Sequence, residues 1–341
     1  MQHLRLIYEQ LEEAKAYLLR GSLFNLRLAL ILADNTAELL LYNALKRTFD
    51  RDDWLRPLRV NYQLACWPPD SAIAVKYSEE QRAKAEKEFE PMVQLAQHRL
   101  RLISASDATV LRMAHRLRRD AFHRGQIRED ILGPIVRLLF ATVVGIAQSV
   151  EFADLVQKFP PEDGDEAFLQ RFGLEVRTFW CDDAYKRKLG AVLLKDVEVK
   201  FDEFRTVFTN DLAGRVEAAI NQVNYFFKED EQNEALLRRQ FTVGIPVEVR
   251  VAIRDSKRYV HELDRQFEIW RKTAVPLVTR EWLLRFRDGV PRKLNSRQPS
   301  QVLATYWSLD KKFSPIESFI EGYVAALDNA IQMEIDIRRG K

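Results

Sequence analysis

Five histidines stand in the 341-residue chain: His3, His98, His115, His123 and His261. Histidine is the side chain whose ordinary pKa lets it move protons near neutral pH. Candidate chemistry therefore gathers where histidines gather, and His98, His115 and His123 share one arginine-rich stretch. Between Arg99 and Arg128 there are eight arginines, no lysine and two aspartates, a local excess of six positive charges in a chain of net charge +3. Arginine makes forked contacts to phosphate; a solvated helix face is the competing reading. At about 100° per residue, His115, Arg119 and His123 follow at i, i+4 and i+8, so Arg119 and His123 are neighbours on one face. Arg118 lies about 50–60° from the centre of an apolar stripe of Val110, Ala114, Leu117 and Ala121, which half buries its stem. Arg118 and His123, five residues apart, do not meet on a regular helix.

Other chemistries lack their residues. The sequence holds no Gly-rich loop ending in Gly-Lys-Ser/Thr, no dinucleotide fingerprint, no nucleophile elbow and no His-Glu-x-x-His. Two distant cysteines, Cys66 and Cys181, support neither a disulfide framework nor a cysteine zinc site. No metal and no cofactor are expected.

The elements that must position these residues are helical. Only twelve glycines and twelve prolines punctuate the chain, too few for the turns of an all-β fold. Leu4, Ile7, Leu11, Ala14 and Leu18 recur at helical spacing and end at Gly21. Ser22 can cap a second helix from Leu23 to about Thr48, apolar nearly all round and so central and buried. Residues 50–77 read as an irregular packed connection. Ser78 with Gln81 forms a capping box for a third helix reaching about Ile103. Ser106 is expected to cap the fourth, Gly125 to end it, and Gly133-Pro134 to open a fifth to about Gln157. The run 158–165, with two prolines, a glycine and acids, is the expected boundary, giving a helical bundle over 1–158 and a mainly helical domain over 159–341. Helices are expected at about 201–227, 255–272, 279–288 and 315–338, with strand-like alternation at 197–201 and 247–251. No apolar run reaches 18 residues and the first residues are acidic and amphipathic, so neither a membrane span nor a secretory signal is expected, and a cytoplasmic location is.

The segment Leu117-Arg-Arg-Asp-Ala-Phe-His-Arg-Gly125, in which Arg118 and His123 bracket four residues, resembles the Arg-x4-6-His motif of the HEPN superfamily. Ala33-Asp-Asn-Thr-Ala-Glu-Leu-Leu40 resembles the helix that carries an acidic or polar residue facing that motif. The resemblance covers roughly residues 1–155. It implies an all-α bundle, often dimeric, and a metal-independent endoribonuclease of toxin–antitoxin or antiviral-defence type. RNA and a second copy of the chain would be its partners, with a separate antitoxin or defence protein beside them. Arg118, Arg119 and His123 would be the catalytic set; family members often carry Asn after the first arginine, where this chain has Arg119. Asp34, Glu38 and His115 would support them.

Two readings of the acidic pair stay open. Arg27, Asp34 and Glu38 lie within about 20° of one line on the second helix, so Arg27 could neutralise the acids internally. Alternatively Asp34 or Glu38 orients Arg118 or His123. Trp54 and Trp67 are read as loop tryptophans packed on the bundle ahead of base-stacking platforms. His98 and His261 are read as structural or surface residues. The second half offers no constellation, only scattered cations and aromatics around Arg280–Arg287. Rival functions are a non-catalytic HEPN-type module that binds RNA, a nucleotide or a protein, and a helical scaffold whose arginines are surface charge.

Overall fold

Apolar residues at helical spacing fold this chain into an all-α protein. The computed structural model describes residues 2–57, 77–123, 128–150, 165–173, 183–226, 264–265, 268–269, 279–296 and 298–338. Among the described residues there are eleven principal helices and no strand. They are α1 (Gln2–Arg20), α2 (Leu23–Trp54), α3 (Glu79–Lys87), α4 (Phe89–His98), α5 (Ala105–His123), α6 (Glu129–Ser149), α7 (Asp165–Arg171), α8 (Asp183–Leu194), α9 (Phe201–Phe226), α10 (Arg280–Lys293) and α11 (Pro299–Arg338). The chain divides into two compact units, residues 1–204 with 298–304, and residues 205–297 with 305–341. The first unit runs past the expected boundary to take in α7 and α8; residues 158–164 lie outside the described part.

In the first unit α2 is the spine, packed against α1, α4, α5 and α6. Its entry is set by Gly21 at φ +72°, a left-handed conformation that favours glycine. Ser22 then accepts from the Asn25 backbone N–H at 3.3 Å. The α1 stripe Ile7, Leu11, Ala14 and Leu18 is buried. Helix α8, unforeseen in the sequence, buries Tyr185, Leu189 and Leu193 and packs on α6 and α1. Buried Lys186 donates to the Val150 carbonyl at 3.0 Å. By length and mean hydropathy, 1.2 and 1.8, helices α2 and α6 would pass as membrane spans. Scattered polar residues break any continuous apolar run, yet the averages remain high. Here the two helices pack on each other.

Several boundaries differ from expectation. Helix α2 continues to Trp54, since nothing breaks it before Pro57. The third helix is two: α3 opens with the Ser78–Gln81 capping box, and Glu88 at φ −126°, ψ 132° interrupts it before α4. Pro91 follows in the first turn of α4 and cannot donate back to Lys87, so a restart is cheaper than continuity. Ser104, not Ser106, caps α5: its Oγ accepts from the Asp107 N–H at 3.1 Å while Asp107 accepts from the Ser104 N–H at 2.9 Å. The reciprocal pair needs an acid three residues on, which Ser106 lacks. Helix α6 starts at Glu129 with two acids in its first turn and carries Pro134 inside it; it ends at Ser149. Residues 197–200 form no strand, because Phe201 already opens α9. The expected strand 247–251, Gly125, Cys66, Cys181, Trp67, His261 and most of the expected helix 255–272 lie outside the described residues.

The second unit contains a largely buried guanidinium. Arg215 on α9 pairs with Asp310 at 2.8 Å and with Asp211 at 3.4 Å, and with Glu317. It also lies 5.5 Å from the Phe313 ring centroid.

Ser104→Ala should destabilise the first unit by about 1 kcal/mol, as loss of an N-cap does, while Ser106→Ala should change stability by less than about half that. Urea unfolding of the two variants beside the wild type measures the difference.

Candidate functional site

The site begins with a buried carboxylate. Asp34 sits on α2 among Leu30, Ala33 and Ala37 and has no exposed surface. A charge so placed is costly unless cations meet it. The packing of α5 against α2, with Val110, Leu111 and Ala114 of α5 buried, brings two. His115 Nδ1 lies 3.0 Å from Asp34 Oδ2 and 3.1 Å from Glu38 Oε1. Arg118 Nη1 lies 2.9 Å from the same Asp34 Oδ2, and its Nη2 lies 3.3 Å from Glu38 Oε1. Arg118 also donates to Asn35 Oδ1 at 2.5 Å. From α4, Phe89 stacks flat on His115, with centroids 4.0 Å apart. Asp34 Oδ1 is buried without a hydrogen-bond partner.

Two acids and two cations make this cluster neutral when all four are ionised. Burial works against a charged His115, but its bonds to Asp34 and Glu38 and the Asp34 charge outweigh that, pushing its pKa up to about 9. Burial drives the Asp34 carboxyl upward against the pull of His115 and Arg118. At Glu38 burial also acts upward, but the His115 bond and the Arg118 charge prevail and hold it below the usual carboxylate range. His115 is therefore an imidazolium at neutral pH. Its charge is taken up by the Asp34 and Glu38 carboxylates, and in that state it does not accept a proton as a general base.

The ligand atoms of Asp34, Glu38 and His115 lie within 4.8 Å of one another, near enough to share a metal ion. The donor chemistry does not fit one. A metal needs His115 deprotonated, and Arg118 already contacts one oxygen of each carboxylate.

Of the residues singled out from the sequence, the fold brings Asp34, Glu38, His115 and Arg118 together. Arg118 keeps 25% of its side-chain surface exposed, the half-burial its angle from the stripe predicts. Arg27 does not pair with the acidic stripe; its Nε is buried without a hydrogen-bond partner. Arg119 is exposed, one residue beyond the cluster. His123 is the last residue of α5, with its backbone in regular helix, so its position falls one turn after Arg119 and on a different face from Arg118; its side chain is outside the described residues. Sequence reasoning missed Asn35 and Phe89. Asn35 stood within the quoted segment as a possible partner for arginine, whereas Phe89 comes from another helix and carried no signal. Neighbouring arginines are neutralised: Arg112 by Glu90 at 2.9 Å and Arg116 by Asp120 at 3.4 Å. Comparison with protein families, curated proteins and solved structures finds no match to this chain.

The raised His115 pKa has a consequence for stability. A group whose folded pKa exceeds its unfolded value, ordinarily 6.5, stabilises fully below that value and loses its contribution as pH rises through the folded pKa, about 9. Wild-type stability should fall by about 1–2 kcal/mol between pH 6.5 and 9, less than the whole shift because solvent screens the partly exposed imidazole. His115→Gln should lack that decline. Melting curves of both proteins across the window decide the matter, and parallel curves would mean that His115 carries no extra proton.

Proposed function

We propose that this chain is a metal-independent endoribonuclease of HEPN type. One observation carries the reading: the arginine of the Arg-x4-His segment, Arg118, is held by a buried acid and its neighbours on the central helix. Buried ion pairs add little net stability over apolar packing, so their presence beside a histidine-bearing helix end favours a functional site. The active form would be a symmetric dimer that brings two α5 helices together.

The chemistry needs no metal. The 2′-oxygen of RNA attacks the adjacent phosphorus, the bond from phosphorus to the 5′-oxygen breaks, and a 2′,3′-cyclic phosphate remains. One His123 takes the proton of the 2′-hydroxyl and the partner's His123 protonates the departing 5′-oxygen. Arg119, exposed and one helical turn before His123, meets the charge that builds on the phosphate. Arg118, fixed by Asp34, Asn35 and Glu38, is the positioning residue of the pair. A toxin or defence role, with its own partner protein, follows from an RNA-cleaving activity that a cell must restrain.

A second reading has its own support. His115 holds its proton and Arg118 already has acid partners, so the cluster serves as a structural brace, and exposed Arg119 would bind an anion without cleaving it.

Purified protein incubated with total RNA in EDTA separates the two. Cleavage should survive EDTA and leave 2′,3′-cyclic ends. Arg119→Ala should lower the single-turnover rate about a hundredfold, equivalent to roughly 2–4 kcal/mol, without moving Tm. Arg118→Ala should lower both rate and Tm, by about 3 kcal/mol in stability, since it strips a cation from buried Asp34. If His123→Ala cleaves at the wild-type rate, the binding reading replaces this one; cleavage abolished by EDTA and restored by magnesium would overturn the mechanism. Sedimentation of the active species checks the dimer.

A further inference from the structure

A second feature of α2 lies away from the Asp34 cluster. A groove of about 720 Å³ runs between the C-terminal part of α2, the Leu100–Leu102 segment and the end of α6. Its size falls in the range of small-ligand pockets. Arg47, Arg51 and Trp54 come from one face of α2, and Arg101 closes the opposite wall; Asp50 is the single acid among the lining residues. At about 100° and 1.5 Å per residue, this face is turned roughly 150° from Asp34 and Glu38 and lies some 20–25 Å along the axis. The groove is therefore distinct from the cluster.

Three features call for a ligand. Trp54 is 73% exposed, against the sequence expectation that it packs on the bundle, and it leaves an indole face open at the groove for a base to stack on. Arg51 and Arg101 make no side-chain ion pair among the described residues, in a chain whose other arginines are so often neutralised. Arg101 also holds φ at +53°, a left-handed conformation that a residue with a Cβ rarely adopts and that accumulates at functional sites.

Cations beside an exposed indole suit one chemistry. Guanidinium groups hold phosphate, and an indole stacks on any nucleobase. We propose that this groove binds a nucleobase-bearing phosphate, with Trp54 as the stacking platform and Arg47, Arg51 and Arg101 on the phosphate. Its source is either a free nucleotide or one segment of a single RNA strand. The inference does not rest on cleavage at the Arg118 cluster.

The probe is a 12-nucleotide 2′-O-methyl oligouridylate, which lacks the attacking hydroxyl and is bound but never cut. Adenosine monophosphate and inorganic tripolyphosphate run beside it, on the full-length protein. The oligonucleotide should quench tryptophan emission, and Trp54→Ala should remove that quench and weaken binding about tenfold, the effect of one lost stacked base. Arg51→Ala should reduce the salt slope of binding by about one. Arg101→Gly should weaken binding equally while leaving Tm unchanged or higher, because glycine accepts the left-handed backbone. That variant separates lost binding from lost folding. Binding and quenching by the monophosphate alone would identify a free nucleotide as the ligand; binding of the oligonucleotide only would identify a strand. Tripolyphosphate binding as tightly as the oligonucleotide, or wild-type affinity in both Trp54→Ala and Arg101→Gly, would overturn the proposal. Since the probe cannot be cleaved, failure of the ribonuclease reading would leave these outcomes untouched.

Discussion

A carboxylate without solvent exposure inside an apolar helix must be met by cations, and Asp34 imposes that condition on the first unit. Its demand is answered from α5, one turn of which delivers His115 and Arg118 to the same oxygen. Sliding α5 by one residue along α2 would strand the carboxylate, at a cost of several kcal/mol. Apolar packing brings α2 and α5 together, and in the alignment they adopt Asp34 meets both His115 and Arg118.

The same device recurs away from this cluster. Near the end of α2, Arg82 pairs with buried Asp52 and with Asp53 at 2.7 Å, and lies 5.3 Å from the Phe49 ring centroid. In the second unit Arg215 combines acids with the Phe313 ring. Each case sets a guanidinium between carboxylates and an aromatic face, where its weakly hydrated plane loses least on burial. Arg82 and Arg215 are thereby neutralised within the fold. Among the arginines left open to solvent are Arg119 near the end of α5 and Arg51 and Arg101 along the groove, where an external anion finds unneutralised charge.

These open positions and the closed cluster suit different tasks. Hydrogen bonds to two carboxylates keep His115 protonated well above neutral pH, which suits it to holding charge. In the proposed chemistry proton transfer falls to His123 at the helix end, and α2 serves as the common backbone, with a charged cluster on one face and an arginine–tryptophan groove on the other.

Much of this was legible in order of residue spacing. The paucity of glycine and proline, the 3.6-residue apolar stripes and the Ser22 and Ser78 caps determined an all-α chain and the starts of its second and third helices, because these are local preferences. The half-burial of Arg118 followed from its angle to the stripe. Boundaries failed where two local signals competed: Ser104 and Ser106 are equally good caps until Asp107 chooses between them, and Pro91 and Pro134 acted within the first two turns of helices that start before them. Pairing across helices was beyond reach. The sequence showed Arg27, Asp34 and Glu38 on one line and left two partners open; only packing revealed that α5 supplies the cations, that Phe89 from α4 covers His115, and that Trp54 stays in solvent. Spacing along one helix states which residues share a face, but which face meets which neighbour depends on the summed burial of the whole bundle, and no single segment carries that sum.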